Sequence, residues 1–173
     1  MIDSDGYRAN VAMVLANAAG RVFWAQRLGR AGWQFPQGGI EQHETAEQAL
    51  FRELHEEVGL TPEAVEVVGV TRDWLRYSLP ERYQRHADRP RCVGQKQRWF
   101  LLRFRGDDSQ VRLDGHGAPE FAAWRWAEYW EPLDEVIYFK REVYREALLE
   151  LAPLLFPDGA PPVPARRGAA APG

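Results

Sequence analysis

Short apolar runs separated by turn residues fill the first two-thirds of the chain. Within residues 7–17, Val11, Met13, Val14 and Leu15 form a nearly continuous run, which is the pattern of a strand buried on both faces. A turn at residues 17–20 and a second apolar run at 21–27 predict a hairpin. Further strands are predicted at residues 33–40 (interrupted by Pro36), 65–71, 97–104 and 122–126.

Two segments have the three- to four-residue apolar spacing of helices. In the first, Ala46, Leu50, Leu54 and Val58 predict a buried stripe. Thr45 and Gln48 predict a capping box at the start of this helix, and Gly59 is expected to end it in a left-handed conformation. Residues 131–156 form the second, mostly helical segment. Its expected core positions are Val136, Phe139, Val143, Ala147, Leu151 and Leu154.

Composition narrows the class of protein. At 173 residues, with 45% hydrophobic and 27% charged side chains, the chain is expected to form one soluble domain. The net charge of −3 does not indicate a nucleic-acid binder. The single cysteine, and the lack of a signal-peptide or membrane-helix pattern, predict a cytoplasmic protein with no membrane association. The Pro-, Ala- and Gly-rich residues 157–173 are predicted to be a disordered tail after a domain at 1–156.

Three carboxylates share one face of the first helix. Glu53, Glu56 and Glu57 lie at i, i+3 and i+4, where like charges repel. Arg52 lies four residues before Glu56 and can orient its carboxylate. A solvated acidic face is the usual meaning of such a cluster, but it does not explain the preceding glycine pair. The alternative is a cation-binding face.

The same stretch carries a family resemblance. Gly38, five residues, Glu44, seven residues and then Arg52-Glu53-Leu54-His55-Glu56-Glu57-Val58-Gly59-Leu60 resembles the Nudix box at every defined position. The resemblance implies an α+β Nudix fold, an α/β/α sandwich with a mixed central β-sheet and a loop–helix–loop catalytic motif. That motif holds divalent metal against a diphosphate.

A basic, aromatic-rich segment follows the helix. Residues 72–105 contain ten Arg and Lys side chains against three Asp and Glu, with Trp74, Tyr77, Tyr83, Trp99 and Phe100 among them. Such a mixture suits a phosphate backbone and stacked bases. A long solvated loop whose Arg stems cover apolar surface explains it equally well.

Further resemblance points to one branch of the family. Residues 33–40 (Trp-Gln-Phe-Pro-Gln-Gly-Gly-Ile), 73–77, 94–100 and the opening residues 2–11 resemble bacterial RNA pyrophosphohydrolases, a branch that also contains dinucleoside-polyphosphate hydrolases. For Trp33 and Phe35, core packing and ligand contact both remain open.

The resemblance and the residue chemistry together give a set of expected site residues. The expected catalytic residues and metal ligands are Glu53, Glu56, Glu57 and, outside the box, Glu120, with Gly38 also in the metal site. Arg8 and Arg27 are either exposed strand-edge charges or phosphate contacts. The expected substrate-binding residues are Arg8, Arg27, Gln34, Gly38, Gly39, Gln95, Ile137, Phe139 and Lys140.

The expected chemistry is hydrolysis with Mg²⁺ or Mn²⁺, more than one ion being involved, and with Glu53 or Glu120 as the base. The expected substrate is a 5′-triphosphate RNA end, which would be converted to a 5′-monophosphate and so promote mRNA decay. One alternative is a dinucleoside polyphosphate such as diadenosine tetra- or pentaphosphate. Another is a non-catalytic Nudix-fold binding or regulatory module, although such a module would be expected to lose box glutamates that are all present here.

Overall fold

A mixed β-sheet organises the fold in the computed structural model, which describes residues 1–87 and 89–166. Its strands are β1 Tyr7–Ala16, β2 Val22–Arg27, β3 Trp33–Gln34, β4 Gln37–Gly39, β5 Val65–Val70, β6 Leu75–Ser78, β7 Gly94–Phe104 and β8 Phe121–Ala127. The helices are α1 Ala46–Val58, α2 Pro132–Glu135 and α3 Arg141–Leu155. Among the helices of the described residues, none is both long and apolar enough to cross a bilayer.

β1 lies at the centre of the sheet and explains its mixed character. It runs parallel to β7 along its whole length and antiparallel to β2 and β4. The main strand order is β3-β2-β1-β7-β5, with β4 paired to β1, β6 to β7 and β8 to β2. The predicted hairpin and the interruption at Pro36 are both confirmed, because the segment around Pro36 forms the separate strands β3 and β4.

Alternate residues of β1 supply two cores. Val11, Met13 and Leu15 pack on the α1 side, while Ala12 and Val14 pack on the α3 side, and all are inaccessible to solvent. A helix therefore covers each face of the sheet, which confirms the predicted α/β/α sandwich and the continuous apolar pattern of the first strand.

The basic segment contains more strand than its sequence predicts. β6 lies inside it and pairs with β7, which begins at Gly94 rather than at the predicted residue 97. Along β6 only Tyr77 is buried, whereas Arg76 and Ser78 on either side of it are exposed. This four-residue alternation is too short to stand out among the surrounding charges.

The last helical segment is divided rather than continuous. Val136 and Ile137 are extended between α2 and a 3₁₀ turn at Tyr138–Lys140, and α3 follows. The core prediction for Leu154 is wrong, since it is 45% exposed and lies against Gly69. Tyr144 and Leu148, which were not predicted, are fully buried.

The predicted tail falls partly outside the described residues, namely at 167–173. Residues 157–166 lie after α3 without helix or strand. The indole of Trp130 donates to the Pro161 carbonyl (2.9 Å), and Arg145 donates to the Pro164 carbonyl (3.1 Å). The division into a domain at 1–156 and a disordered tail stays a prediction.

Candidate active site

The ends of α1 form as its sequence predicts. Thr45 accepts a hydrogen bond from the backbone N–H of Gln48, whose side chain accepts one from the Thr45 N–H in return. Gly59 adopts a left-handed conformation (φ 76°) at the other end. Between these caps, Glu53 and Glu57 are buried beside Leu50 and Leu54. The helix therefore presents two carboxylates to the protein interior.

The glycine pair lies directly against one of these carboxylates. Gly38 and Gly39 belong to β4 and pair with Val11 and Asn10 of β1. A Cβ atom placed on Gly38 would overlap the carboxylate of Glu53, whereas one on Gly39 would meet nothing within 4 Å. Glycine at position 38 is thus what allows Glu53 to lie against β4.

Arg52 joins the loop before α1 to the carboxylates on the helix. Its guanidinium donates to both oxygens of Glu44 (2.7 and 2.9 Å), to Glu53 Oε1 (2.8 Å) and to the Gly39 carbonyl (2.7 Å). These bonds raise the pKa of Arg52, with the hydrogen bond to Glu44 as the largest cause. The contact with Glu56 expected from sequence spacing is longer, at 3.4 Å. Arg52 therefore orients Glu44 and Glu53 more closely than Glu56.

The charge of Glu53 destabilises the charge of Glu57. Burial raises the pKa of Glu53, opposed by Arg52. Burial also raises the pKa of Glu57 well above its usual value, and the charges of Glu53 and Glu120 raise it further. The Oε2 atom of Glu57 is buried without a hydrogen-bond partner. A site with two carboxylates and an unpartnered oxygen favours a cation.

The other two predicted acids lie at the surface. Glu56 is exposed on α1, and Glu120 is exposed at the bend before β8. Glu120 is close enough for its charge to act on Glu57 and on Lys140. Within residues 1–87 and 89–166, no three acidic, His or Cys side chains are grouped closely enough to hold a metal as they stand. The unpartnered Glu57 oxygen, close to the Glu53 carboxylate, nevertheless fits a hard divalent cation, which prefers carboxylate oxygens.

A cavity of about 570 Å³ opens beside Glu53. Arg8, Gly39, Ile40 and Arg52 are among the residues that line it. Gln95 of β7 pairs with Arg8 in the parallel register, and its side-chain Oε1 is buried without a partner. This side of the site combines an exposed arginine with room for a phosphate chain.

A second group of predicted residues lies on the α3 side of the site. The buried Lys140 ammonium donates to Gln34 Oε1 (3.3 Å) and lies 5.5 Å from the centre of the Tyr77 ring. Burial, and then the charge of Arg27, lower the pKa of Lys140 to about 8, while Glu120 and Glu57 oppose the shift. Ile137 and Phe139 are partly buried next to it. Phe35 is fully buried against Trp24, Trp99 and Tyr144, which makes it a core residue.

Several site residues were not predicted from the sequence. The backbone N–H of Gln37 donates to the Glu57 carboxylate, and its side chain bonds with Tyr77. Gln97 donates to Asn10 (2.8 Å) and to Gln37 (3.1 Å), which forms a buried amide network behind the site. The sequence signals for Gln37 are its place immediately before Gly38 and its position within residues 33–40, which resemble bacterial RNA pyrophosphohydrolases.

Comparisons with known proteins agree with this geometry. A family model described as "NUDIX domain" matches residues 6–151. An RNA pyrophosphohydrolase of Alkalilimnicola ehrlichii is 62% identical over 164 residues, covering 95% of this chain and 91% of that protein. Another, from Thioalkalivibrio sulfidiphilus, is 58% identical over 161 residues, covering 93% of each chain.

Solved structures share the fold at much lower identity. The E. coli dihydroneopterin triphosphate pyrophosphohydrolase superposes with a TM-score of 0.64 at 21% identity, covering 83% of this chain and 98% of that one. A C. elegans Ap4A hydrolase superposes with a TM-score of 0.55 at 19% identity, covering 79% and 93% respectively.

Proposed function

Since the chain belongs to the NUDIX family and is a pyrophosphohydrolase, we propose that it acts on the 5′-triphosphate end of RNA. Water is added across a phosphoanhydride bond, pyrophosphate leaves and the RNA keeps a 5′-monophosphate. Such a product promotes mRNA decay. The observation that carries the choice of substrate is 62% identity, over 95% of this chain, to a protein named RNA pyrophosphohydrolase.

The proposed metal site consists of the box glutamates and Glu120. Glu53 and Glu57 supply buried carboxylates, Glu56 and Glu120 supply exposed ones, and Gly38 contributes its backbone. Oxygen ligands of this kind suit Mg²⁺ or Mn²⁺, and four carboxylates suit more than one ion. When bound, these ions neutralise phosphate charge and make water more acidic.

Protein side chains accept the proton from water and hold the catalytic carboxylate in position. Glu53 or Glu120 accepts the proton of the attacking water. Arg52 holds Glu53 in place through its 2.8 Å hydrogen bond, and Gly38 leaves the space in which that carboxylate lies. Holding a catalytic group in a fixed position lowers the entropy cost of reaching the transition state.

We assign the substrate groups to the two sides of the site. Arg8 and Gly39 line the cavity next to Glu53, where the phosphate chain fits, and Gln95 pairs with Arg8 on the neighbouring strand. The α3 side, where a nucleobase fits against apolar surface and a buried cation, contains Gln34, Ile137, Phe139 and Lys140. Arg27 is close enough for its charge to act on Lys140. RNA ends of this type are found in the cytoplasm, which is the proposed location.

A turnover assay with Mg²⁺ tests the proposal. Triphosphorylated RNA and diadenosine tetraphosphate are compared side by side, and kcat/KM is expected to be higher for RNA. A wide preference for the dinucleotide would overturn the choice of RNA and leave a dinucleoside-polyphosphate hydrolase.

The assignment of the carboxylates is tested with isosteric variants. Glu53→Gln and Glu57→Gln are each expected to lower kcat by roughly two or more orders of magnitude, because each removes a charge that acts in the transition state. Glu47→Gln, on the exposed first turn of α1, is the matched control. Near-normal turnover in a folded Glu53 or Glu57 variant would show that the replaced residue is not part of the catalytic site.

A further inference from the structure

Three aromatic rings form a ledge that leads away from the site on the α3 side, beginning at Phe139. Phe139 lies 5.3 Å from Tyr83 and 5.5 Å from Tyr138, measured between ring centres. We call Tyr83, Tyr138 and Phe139 the aromatic ledge. Phe139 is partly buried, whereas Tyr83 is 45% and Tyr138 53% exposed. Rings that served only as packing would be expected to bury more of their surface.

An arginine organises the exposed end of the ledge. The Arg82 guanidinium lies 5.0 Å from the centre of the Tyr83 ring and 5.8 Å from that of Tyr138. It also donates to the Tyr138 hydroxyl (3.1 Å). Arg85 and Arg91 are exposed on the same loop, and Glu81 approaches Arg91 only at 4.0 Å. Exposed rings are therefore combined with positive charge, which is how proteins bind single-stranded nucleic acid.

The ledge is continuous with the proposed active site. The Phe139 ring lies 6.1 Å from the Tyr77 ring, and Tyr77 lies under the Lys140 ammonium. Lys140 in turn is close enough to Glu57 and Glu120 for their charges to act on its pKa. An RNA whose 5′ end lies at the glutamates and whose first bound base lies at Phe139 and Lys140 would continue onto Tyr83 and Tyr138.

We propose that Tyr83 and Tyr138 stack a base of the RNA downstream of the one held at Phe139 and Lys140. The inference rests on the proposed function and adds a subsite to it. Stacking on a ring face is available to every base, so this subsite recognises RNA length rather than sequence. The subsite favours RNA over free nucleotides, which have no downstream base.

The experiment uses 5′-triphosphorylated tetranucleotide RNAs, either intact or with one abasic position at the second, third or fourth nucleotide. Tyr83→Leu and Tyr138→Leu remove the rings, and Tyr83→Phe and Tyr138→Phe retain them. With the wild type, removing the base that lies against Tyr83 and Tyr138 should raise KM roughly five- to thirtyfold, as expected for loss of one stacked base. The Leu variants should show the same rise with intact RNA, no further rise with that abasic RNA, and kcat within about twofold, as for a lost ground-state contact.

Other results distinguish the subsite from the proposed function. If the rises in KM caused by the Leu substitution and by the abasic nucleotide multiply at every position, the rings do not contact the missing base. The aromatic ledge is then not a base-binding subsite. An equal loss with a nucleoside triphosphate would also exclude it, because that substrate has no downstream base. If the wild type cleaves diadenosine tetraphosphate but no RNA, the proposed function itself fails, and the subsite with it. The Phe variants should behave as wild type, and a loss equal to that of the Leu variants would exclude stacking.

Discussion

Gly38 and Glu53 lie so close together that any side chain at position 38 would occupy the space of the Glu53 carboxylate. Gly38→Ala is therefore expected to displace that carboxylate and lower kcat by up to roughly a hundredfold, the loss expected when a catalytic group is misplaced by about 1 Å. The backbone of Gly38 is not in the left-handed region, so alanine can adopt it and the fold should be retained. Steady-state kinetics and thermal unfolding of the purified variant measure the two effects.

Gly39→Ala is the comparison for this prediction, since a Cβ there meets nothing within 4 Å. Its loss of kcat should be smaller than that of Gly38→Ala. If the two variants lose the same activity, or if Gly39→Ala loses more, displacement of Glu53 is not the cause.

The buried glutamates should make the metal-free protein less stable as pH rises. Because the pKa of Glu57 is raised in the folded state, its contribution to stability is present below its unfolded value of about 4.5 and is lost as pH rises through the folded pKa. Glu57→Gln removes this loss and should raise the free energy of unfolding at pH 7 when the metal is removed with a chelator. Denaturant unfolding between pH 5 and 8 measures the difference in slope.

Magnesium should stabilise the wild type more than it stabilises Glu57→Gln. A cation that binds only the folded protein raises its free energy of unfolding by mass action, and the wild type has the charge to bind it. With Mg²⁺ added, the wild type should gain more stability than Glu57→Gln. An equal gain in both proteins would mean that Glu57 does not hold the ion.

The parts of α1 that could be predicted from sequence are those that depend on contacts between residues close together in the chain. Thr45, Gln48 and Gly59 cap the helix through contacts within a few residues, so their roles can be inferred from spacing alone. The partner of Arg52 could not be inferred in this way. Spacing along the helix points to Glu56, but a turn at residues 41–44, with His43 at φ 66°, brings Glu44 back to the guanidinium.

The features that could not be predicted depend on contacts between parts of the chain that are far apart in sequence. Tyr83 and Phe139 are far apart in sequence, and their contact depends on where the loop after β6 and the 3₁₀ turn before α3 meet. Charge patterning in residues 72–105 was consistent with phosphate or base binding and equally with a solvated loop, and it did not show which side chains meet in the fold. Leu154 continued the helical spacing but lies in the last turn of α3, where it is largely exposed against Gly69.

Arg52 should not be replaceable by lysine. Its planar guanidinium donates hydrogen bonds to Glu44, Glu53 and the Gly39 carbonyl at the same time. A lysine ammonium group cannot match that geometry. Arg52→Lys should lower kcat at least tenfold and the free energy of unfolding by about 1 kcal/mol, as expected for a partly exposed charged network. Arg103→Lys is the control, because Arg103 forms an exposed pair with Glu66 (3.3 Å) away from the site. A similar loss of kcat in both variants would contradict a specific role for Arg52.

Lys140 should make RNA binding depend on pH near 8. Burial and the charge of Arg27 lower its pKa to about 8, so the ammonium loses its proton, and its attraction for the substrate, as pH rises through that value. KM for triphosphorylated RNA should therefore increase above pH 8.

The same shift has the opposite effect on stability. A lysine whose pKa is lowered on folding destabilises the folded state while it is charged, and the cost disappears as pH rises from about 8 towards 10.5. Lys140→Met should therefore be more stable than the wild type at pH 7, while its KM is higher and no longer changes near pH 8. Lys140→Arg, which stays charged, should also lose the pH dependence of KM. If the rise in KM above pH 8 persists in Lys140→Met, another group titrates and Lys140 does not bind the substrate through its charge.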